Sequence, residues 1–210
     1  MSEHSMPAVS ERPWRGELGF RIMMPAHWVV LEASDLRRWK NQHEERISGE
    51  LSDTFVLLET AAGLLERSET IFSAFLAPRE NPDSVATIST VLLDVPDVEM
   101  ELDLLDRVKA TPPMDIVEGN YDARKVKHPA GKCVRTLSLR RNVMEVPTVS
   151  QASLCVEYFI QPSGYNAIFA TTFTTPSVFR QATFEELFDL IASTISFTAP
   201  PADSPVESTD

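Results

Sequence analysis

The alternation of apolar and polar residues is clearest in residues 154–197, where it changes from the period of a strand to that of a helix. Every second residue of 154–160 is apolar or aromatic, which predicts a strand with these side chains on one side. Residues 162–164 interrupt the pattern. The β-branched and aromatic side chains of 165–174 then predict a second strand, paired with the first as a hairpin. The alternating set is Leu154, Val156, Tyr158 and Ile160 on one face, with Cys155, Glu157 and Phe159 on the other.

A helical period follows Pro176. The helix starts either at Ser177 or at Thr183, which has the spacing of a capping box with Glu186. Four large apolar side chains recur at i, i+3, i+4 and i+7, and the burial of each contributes roughly 1.5–3 kcal/mol. We therefore expect the helix to lie on a sheet, with the preceding hairpin as the nearest candidate. The apolar stripe consists of Phe184, Leu187, Phe188 and Ile191.

Strand patterns recur in much of the remaining chain. Residues 19–24 predict a first strand, and Trp28 after Pro25 is expected to pack under the edge of the sheet. Residues 114–128 predict a hairpin around a Gly119-Asn120 turn. The other predicted strands cover residues 71–76, 85–93 and, after a turn at Gly131, 133–141.

Helical patterns occur in two other regions. Residues 34–66 predict two helices that form a helical hairpin. A third helix is expected to open at Pro96 and Asp97 and to close at Pro112 and Pro113, with its acidic side chains in water. Short hairpin connections dominate the order of elements. This predicts an α+β fold, with an antiparallel sheet of meandering hairpins and helices packed on its faces.

Length and composition favour one domain. The chain has 210 residues, of which 43% are hydrophobic and 24% are charged, values that are ordinary for a globular protein. We expect a single domain over 17–198. The polar residues 1–16 and the acidic tail 199–210, which is rich in proline and serine, are expected to be disordered.

Charge and hydropathy argue against several classes of protein. A net charge of −12 disfavours general binding to nucleic acid or to an anionic membrane. The N-terminal residues lack the pattern of a secretory signal, and no apolar run approaches the roughly 20 residues that span a bilayer. We therefore expect a cytoplasmic protein, in which Cys133 and Cys155 are small buried hydrophobes and form no disulfide.

The sequence lacks the common motifs of catalysis and cofactor binding. It has no glycine-rich phosphate cradle or dinucleotide pattern, so no cofactor is expected. Ser163 lies in a hairpin turn and not in a nucleophile elbow. The carboxylates of 97–106 fit a solvated helix face better than a catalytic pair. No catalytic residue is therefore assigned. No metal ligand is assigned either, because the four histidines lack the spacing of a metal site; they are His4, His27, His43 and His128.

One segment departs from the acidic average of the chain. Between Ala123 and Arg141 there are seven basic residues and no acidic residue. Lys125 and Lys127 share one face of a strand, which suggests a docking face for an acidic partner or a phosphorylated ligand. The alternative is that these side chains protect an exposed strand against edge pairing. The basic residues are Arg124, Lys125, Lys127, Lys132, Arg135, Arg140 and Arg141.

The order of elements resembles the superfamily typified by PsbP, the P subunit of the photosystem II oxygen-evolving complex. The motifs are an opening MMPAHWVVL and a closing YFIQPSGYNAIFATTFTTPSVFRQATFEELFDLIASTISF, in which a hairpin and a helix end on Ser-Phe. The chain also resembles uncharacterised bacterial cytoplasmic proteins of about this length. The resemblance implies a non-enzymatic binding or assembly role and supplies no site residues.

Three functions remain open from the sequence. The leading one is a non-catalytic module that binds a protein partner or another copy of itself. The alternative is a small-molecule binder or a hydrolase that uses a cleft between the helical pair of 34–66 and the sheet. A helper role in a multi-component bacterial system is the third.

Overall fold

The computed structural model of the chain has an α+β fold, which confirms the predicted class. Within the residues that it describes there are two α-helices and ten strands, and every strand pairing is antiparallel. The described residues are 8–14, 18–26, 28–31, 70–76, 85–95, 103–141, 152–163 and 165–198.

Seven strands form the larger sheet, in the order β3-β4-β5-β9-β8-β7-β6. The two meanders β3-β4-β5 and β6-β7-β8-β9 meet where β5 pairs with β9. The strands are β3 Trp28–Leu31, β4 Thr70–Leu76, β5 Ala86–Asp94, β6 Ile116–His128, β7 Gly131–Arg141, β8 Ala152–Pro162 and β9 Ala167–Thr175.

A smaller sheet has the order β1-β2-β10. Its strands are β1 Ala8–Trp14, β2 Leu18–Met24 and β10 Ser196–Thr198. The helices are α1, Leu104–Ala110, and α2, Gln181–Ser193, and a 3-10 turn at Val178–Arg180 precedes α2.

The main core lies on the face of the larger sheet that is covered by α2 and β2, called the α2 face below. Phe188 of α2 stacks on Phe173 of β9 with ring centroids 4.8 Å apart. Phe20 of β2 contacts Phe72 and Phe169 on the sheet. The predicted helix stripe therefore does pack on the hairpin of β8 and β9, because three of its four side chains are buried there: Phe184, Phe188 and Ile191, with Leu187 half-buried.

Helix α1 covers part of the opposite face, called the α1 face. Asp103 caps the helix, since its carboxylate accepts a hydrogen bond from Leu105 N at 3.0 Å. The smaller core that α1 makes with the sheet consists of Val95, Leu104, Val108, Val134 and Ile168.

The structure contradicts a continuous helix from Pro96 or Asp97 to Pro112, because Asp103 interrupts it. Asp103 has an extended backbone, with φ −64° and ψ 129°, and α1 begins at Leu104. Residues 96–102 lie outside the described part of the chain, as does the predicted helical hairpin of 34–66.

The predicted hairpin around Gly119-Asn120 is wrong. Strand β6 runs continuously from Ile116 to His128, and Gly119, at φ 76°, lies within a bulge. The five steps from Ile116 to Tyr121 oppose only two steps on β7, so the extra residues bulge out of the ladder. A Gly-Asn pair satisfies the backbone of a bulge as well as that of a turn, and the long partner strand β7 decides between them.

Two terminal elements also differ from expectation. Helix α2 begins at Gln181, after the 3-10 turn, and therefore at neither Ser177 nor Thr183. At the other end, Ala8–Trp14 forms strand β1 within the segment 1–16 that was predicted to be irregular, because β2 offers it a complete antiparallel ladder. No helix in the described part of the chain is long and apolar enough to cross a membrane.

Candidate functional site

The basic residues of 124–141 all lie on the hairpin of β6 and β7. Strand β6 is an edge strand of the larger sheet, since among the described strands it pairs only with β7. Among the described strands, the segment therefore lies at an edge of the larger sheet, where a partner could reach it. The structure divides its seven cations into three groups with different surroundings.

Arg135 is buried and does not belong to a docking face. On the α2 face its Nε donates to Asp189 Oδ1 at 2.8 Å, and its Nη2 donates to Glu185 Oε2 at 2.7 Å. Tyr158 accepts a bond from the same Nε and donates its own hydroxyl to Asp189. Burial tends to lower the pKa of Arg135, but the bonds to Asp189, Glu185 and Tyr158 outweigh it and raise that pKa. Arg135 thus holds α2 on the sheet as a charged side chain.

Arg140 is also occupied, on the α1 face. Its Nη2 lies 2.6 Å from Glu157 Oε2, as an ion pair without an aligned hydrogen bond. Thr136 and Thr172 donate their hydroxyls to the two oxygens of Glu157, at 3.1 and 3.3 Å. The carboxylate therefore connects three neighbouring strands, and the Arg140 side chain serves to neutralise it.

Two further cations have acidic neighbours at the surface. Lys125 Nζ lies 2.6 Å from Asp103 Oδ2, the residue that caps α1. The hydrogen bond from Lys125 lowers the pKa of Asp103, and the same bond raises the pKa of Lys125. Arg124 Nε lies 3.9 Å from Asp122 Oδ2. Asp103 and Asp122 therefore largely compensate the positive charges of Lys125 and Arg124.

Lys127 and Lys132 differ from the others. They lie directly opposite each other on β6 and β7, next to the turn, and both are exposed. Neither has an ion-pair partner among the residues that the structure describes. We call the segment Lys127–Lys132 the hairpin tip. Arg141 is exposed as well, but it lies at the other end of β7, ten residues from Gly131.

The sequence pattern did not identify the acidic residues that form ion pairs with Arg135 and Lys125. Glu185 and Asp189 are four residues apart on α2, so they lie on one side of the helix, beside the buried stripe. That spacing is the one local signal that a cation could be bound there. No signal in the sequence identifies Asp103 as the partner of Lys125, because 22 residues separate them.

The remaining reactive side chains have structural roles. Burial raises the pKa of the Cys133 thiol to about 12 and that of Cys155 to about 11, so neither is a thiolate near neutral pH. Both are free and buried, as predicted. His128 Nδ1 accepts from Ala130 N at 3.2 Å, which leaves Nε2 to donate to Ala192 O at 2.9 Å and connects the turn to the end of α2.

Two of the sequence-based hypotheses stay untested. No group of three or more His, Cys, Asp and Glu side chains that could hold a metal ion occurs in the described residues. The cleft of the alternative function would need the helical pair of 34–66, which lies outside them.

No protein-family model matches the sequence, and no curated protein sequence matches it. Among solved structures, the chain is similar to LpqN of Mycobacterium tuberculosis, described as involved in cell envelope biogenesis. The identity is 10% and the TM-score 0.49, with 93% of this chain and 92% of LpqN covered.

Two other solved structures show a similar degree of likeness. Cyanobacterial PsbP (CyanoP) from Synechocystis has 12% identity and a TM-score of 0.42, over 95% of this chain and 96% of that one. The Saccharomyces cerevisiae Ran-binding protein Mog1p has 13% identity and a TM-score of 0.45, over 91% and 95%. A likeness this distant does not establish the expected membership of the PsbP superfamily. We transfer no residue role from these structures.

Proposed function

We propose that the chain is a non-catalytic protein-binding module that docks an acidic partner at the hairpin tip. The observation that supports this most directly is the pair Lys127 and Lys132, two cations that lie side by side and have no ion-pair partner among the described residues, in a protein with a net charge of −12. The other cations of the segment, apart from Arg141, have acidic neighbours within 4 Å. An acidic surface of a partner would therefore be attracted most strongly to the tip.

The physics of such a contact sets what can be measured. Exposed charges attract over about one Debye length, which is close to 10 Å at 0.1 M salt. Two lysines at the rim of an interface mainly raise the association rate, and their effect falls as salt increases. We expect binding that is strong at low ionic strength and weakens severalfold in 0.5 M NaCl.

A matched pair of variants tests the proposal. Replacing both lysines of the tip by glutamine (K127Q/K132Q) makes the net charge two units more negative, and Lys109→Glu does the same on α1. The carbonyl of Val108, next to Lys109, accepts from the Tyr121 hydroxyl, so Lys109 lies near the far end of β6. Overall charge is thus equal in the two variants, and only the tip differs.

The measurement is an affinity pull-down of the full chain from lysate of its own source, at low and high salt. We expect a stoichiometric partner with the wild type and with Lys109→Glu, and its loss with K127Q/K132Q or at high salt. Equal capture by both variants, or no partner at either salt, would contradict the proposal. If the captured partner is a second copy of the chain, size-exclusion chromatography of the pure protein will show it.

A further inference from the structure

We infer that the partner presents an extended acidic segment, which adds to the larger sheet as a new strand along the edge of β6 that no described strand covers. This inference rests on the proposed function and specifies how the partner is recognised. Strand addition supplies main-chain hydrogen bonds, while side chains at alternate positions select the partner. The hairpin tip then serves to attract and select the acidic segment.

The direction of the β6 backbone groups follows from the ladder. Arg141 N donates to Asp115 O at 2.8 Å, so the odd-numbered residues of β7 point their amides and carbonyls towards β6. The register of β7 against β8 runs without a shift from residue 131 to 141, which keeps that alternation intact. The partners of those residues on β6 are Arg124, Val126 and His128. The groups that point away from β7 therefore belong to Ala123, Lys125 and Lys127.

The usable edge has a defined length. Its one end is the bulge at Gly119 and Asn120, where the ladder is irregular, and its other end is the turn after His128. The regular part, Tyr121–Lys127, corresponds to about 20–24 Å of strand at roughly 3.3 Å per residue. An added segment of about seven residues would fill it.

The same geometry specifies which side chains of the added strand meet charge. Lys125 and Lys127 carry outward amides, and their side chains point to the α1 face together. Residues directly opposite on a neighbouring strand have Cβ atoms about 4.5–5.5 Å apart. Carboxylates at alternate positions of the partner would therefore face these lysines. Asp103 already neutralises Lys125. A carboxylate opposite Lys127 would therefore gain the most from electrostatic attraction, because Lys132 lies directly beside Lys127 on β7.

The charges also argue against a second copy of β6 as the occupant. Two copies that paired edge to edge in antiparallel fashion would place the cations of one strand against those of the other. Like charges directly opposite each other destabilise a strand pair, which is one way in which lysines protect an edge. The occupant that removes this penalty is an acidic strand from a different protein.

The probe for this inference is a synthetic nine-residue peptide in which glutamate alternates with valine, with a control peptide in which lysine replaces every glutamate. Two substitutions at one position separate the backbone from the charge. Lys125→Gln and Lys125→Pro both remove the ammonium group, but only proline removes the outward amide, while the bonds between β6 and β7 are kept. We expect Lys125→Gln to weaken binding of the acidic peptide by less than fivefold, and Lys125→Pro to weaken it by a further tenfold or more.

Hydrogen exchange gives an independent readout on the wild-type protein, which decides the matter if the proline variant does not fold. Without peptide, the amides of Arg124 and Val126 should be protected and those of Ala123, Lys125 and Lys127 should exchange rapidly. The acidic peptide should then protect these three amides. The lysine peptide should protect none of them.

The outcomes separate this inference from the proposed function. Peptide binding that K127Q/K132Q abolishes but that leaves the three amides unprotected would overturn strand addition and keep the docking role. Failure of the peptide to bind would also overturn strand addition, and the pull-down would then decide the docking role by itself. Protection of the three amides that rises with protein concentration in the absence of peptide would overturn the inference in favour of pairing between two copies.

Discussion

Asp189 Oδ1 on α2 accepts a hydrogen bond of 2.8 Å from Arg135 Nε on the α2 face of the sheet, although 54 residues separate them in the sequence. The Arg135 side chain is only 3% exposed, whereas that of Asp189 is 49% exposed. One end of the contact is thus dry and the other reaches water. A cation from the basic segment therefore contributes to the attachment of the C-terminal helix and is withdrawn from the surface.

Removal of this cation should destabilise the fold. Arg135→Ala leaves the carboxylates of Glu185 and Asp189 without their cation, and breaking a buried pair costs about 3 kcal/mol. Asp189→Asn should cost less, about 1 kcal/mol, because water can replace an exposed partner. Urea titration monitored by circular dichroism measures both. The control is Arg124→Ala on the neighbouring strand, which should stay within about 0.5 kcal/mol of the wild type; an equal effect of Arg124→Ala and Arg135→Ala would refute the assignment.

Stability should fall at alkaline pH. Burial raises the pKa of Cys133 to about 12 and that of Cys155 to about 11, while the thiols of the unfolded chain ionise near 8.5. Above pH 8.5 the unfolded state therefore binds fewer protons than the native state, so the free energy of unfolding decreases as pH rises. The contribution is fully present below pH 8.5 and is lost through pH 11 to 12. Burial raises the pKa of the Tyr158 hydroxyl too, which adds a loss in the same direction above pH 10.

Urea titrations at pH 8 and pH 10, in reducing buffer, measure this slope. We expect a loss of roughly 1–2 kcal/mol per thiol between the two conditions. The double variant C133A/C155A is less stable at pH 8 because it leaves small cavities, but its stability should change less between the two pH values. A slope identical to that of the wild type would show that the thiols are not its source.

Gly131 should tolerate no side chain. It has φ 149°, and a Cβ atom there would lie 2.1 Å from the backbone oxygen of Gln161 on β8. Gly131→Ala must therefore push β7 and β8 apart, and we expect a loss of about 3 kcal/mol or more. Gly119 is the matched control, since its φ is 76° but a Cβ atom there would meet nothing within 4 Å. Gly119→Ala should cost about 1 kcal/mol, and thermal melts of the two variants should differ clearly.

The contact between α2 and the sheet should depend on Phe188. Its side chain is fully buried, stacked on Phe173 and in contact with Phe184. Phe188→Ala should cost about 3–5 kcal/mol through lost burial and a residual cavity. Leu190→Ala, on the same helix but 63% exposed, should melt within a few degrees of the wild type. If the two variants melt alike, α2 does not pack as described.

Patterns local to one strand or helix predicted the elements best. The alternation from Leu154 to Ile160 identified the side chains on each face of β8 because successive side chains of a strand point to opposite faces, although both faces of β8 are buried. The stripe on α2 was equally clear. The error at Gly119-Asn120 arose because the same residues suit a tight turn and a bulge, and only the pairing of β6 with β7 over its full length distinguishes them.

The charges of the candidate site were predictable only in part. The shared face of Lys125 and Lys127 follows from strand alternation and is confirmed by the register. The burial of Arg135 could not be predicted in this way, because a charged residue in a strand is usually exposed and its partners lie 50 and 54 residues further along the chain. The cations that remain after these pairings are those of the hairpin tip and Arg141, and only the tertiary structure identifies them.

The pairing of the last strand with the second has a consequence for synthesis on the ribosome. Phe20, Ile22 and Met24 are buried in the folded protein, but α2 and β10, which enclose them, begin more than 150 residues after β2. At about 5–20 residues per second, the ribosome needs on the order of ten seconds or more to reach them. During that interval β2 is a nascent apolar segment without its native cover, so its side chains are exposed to non-native association.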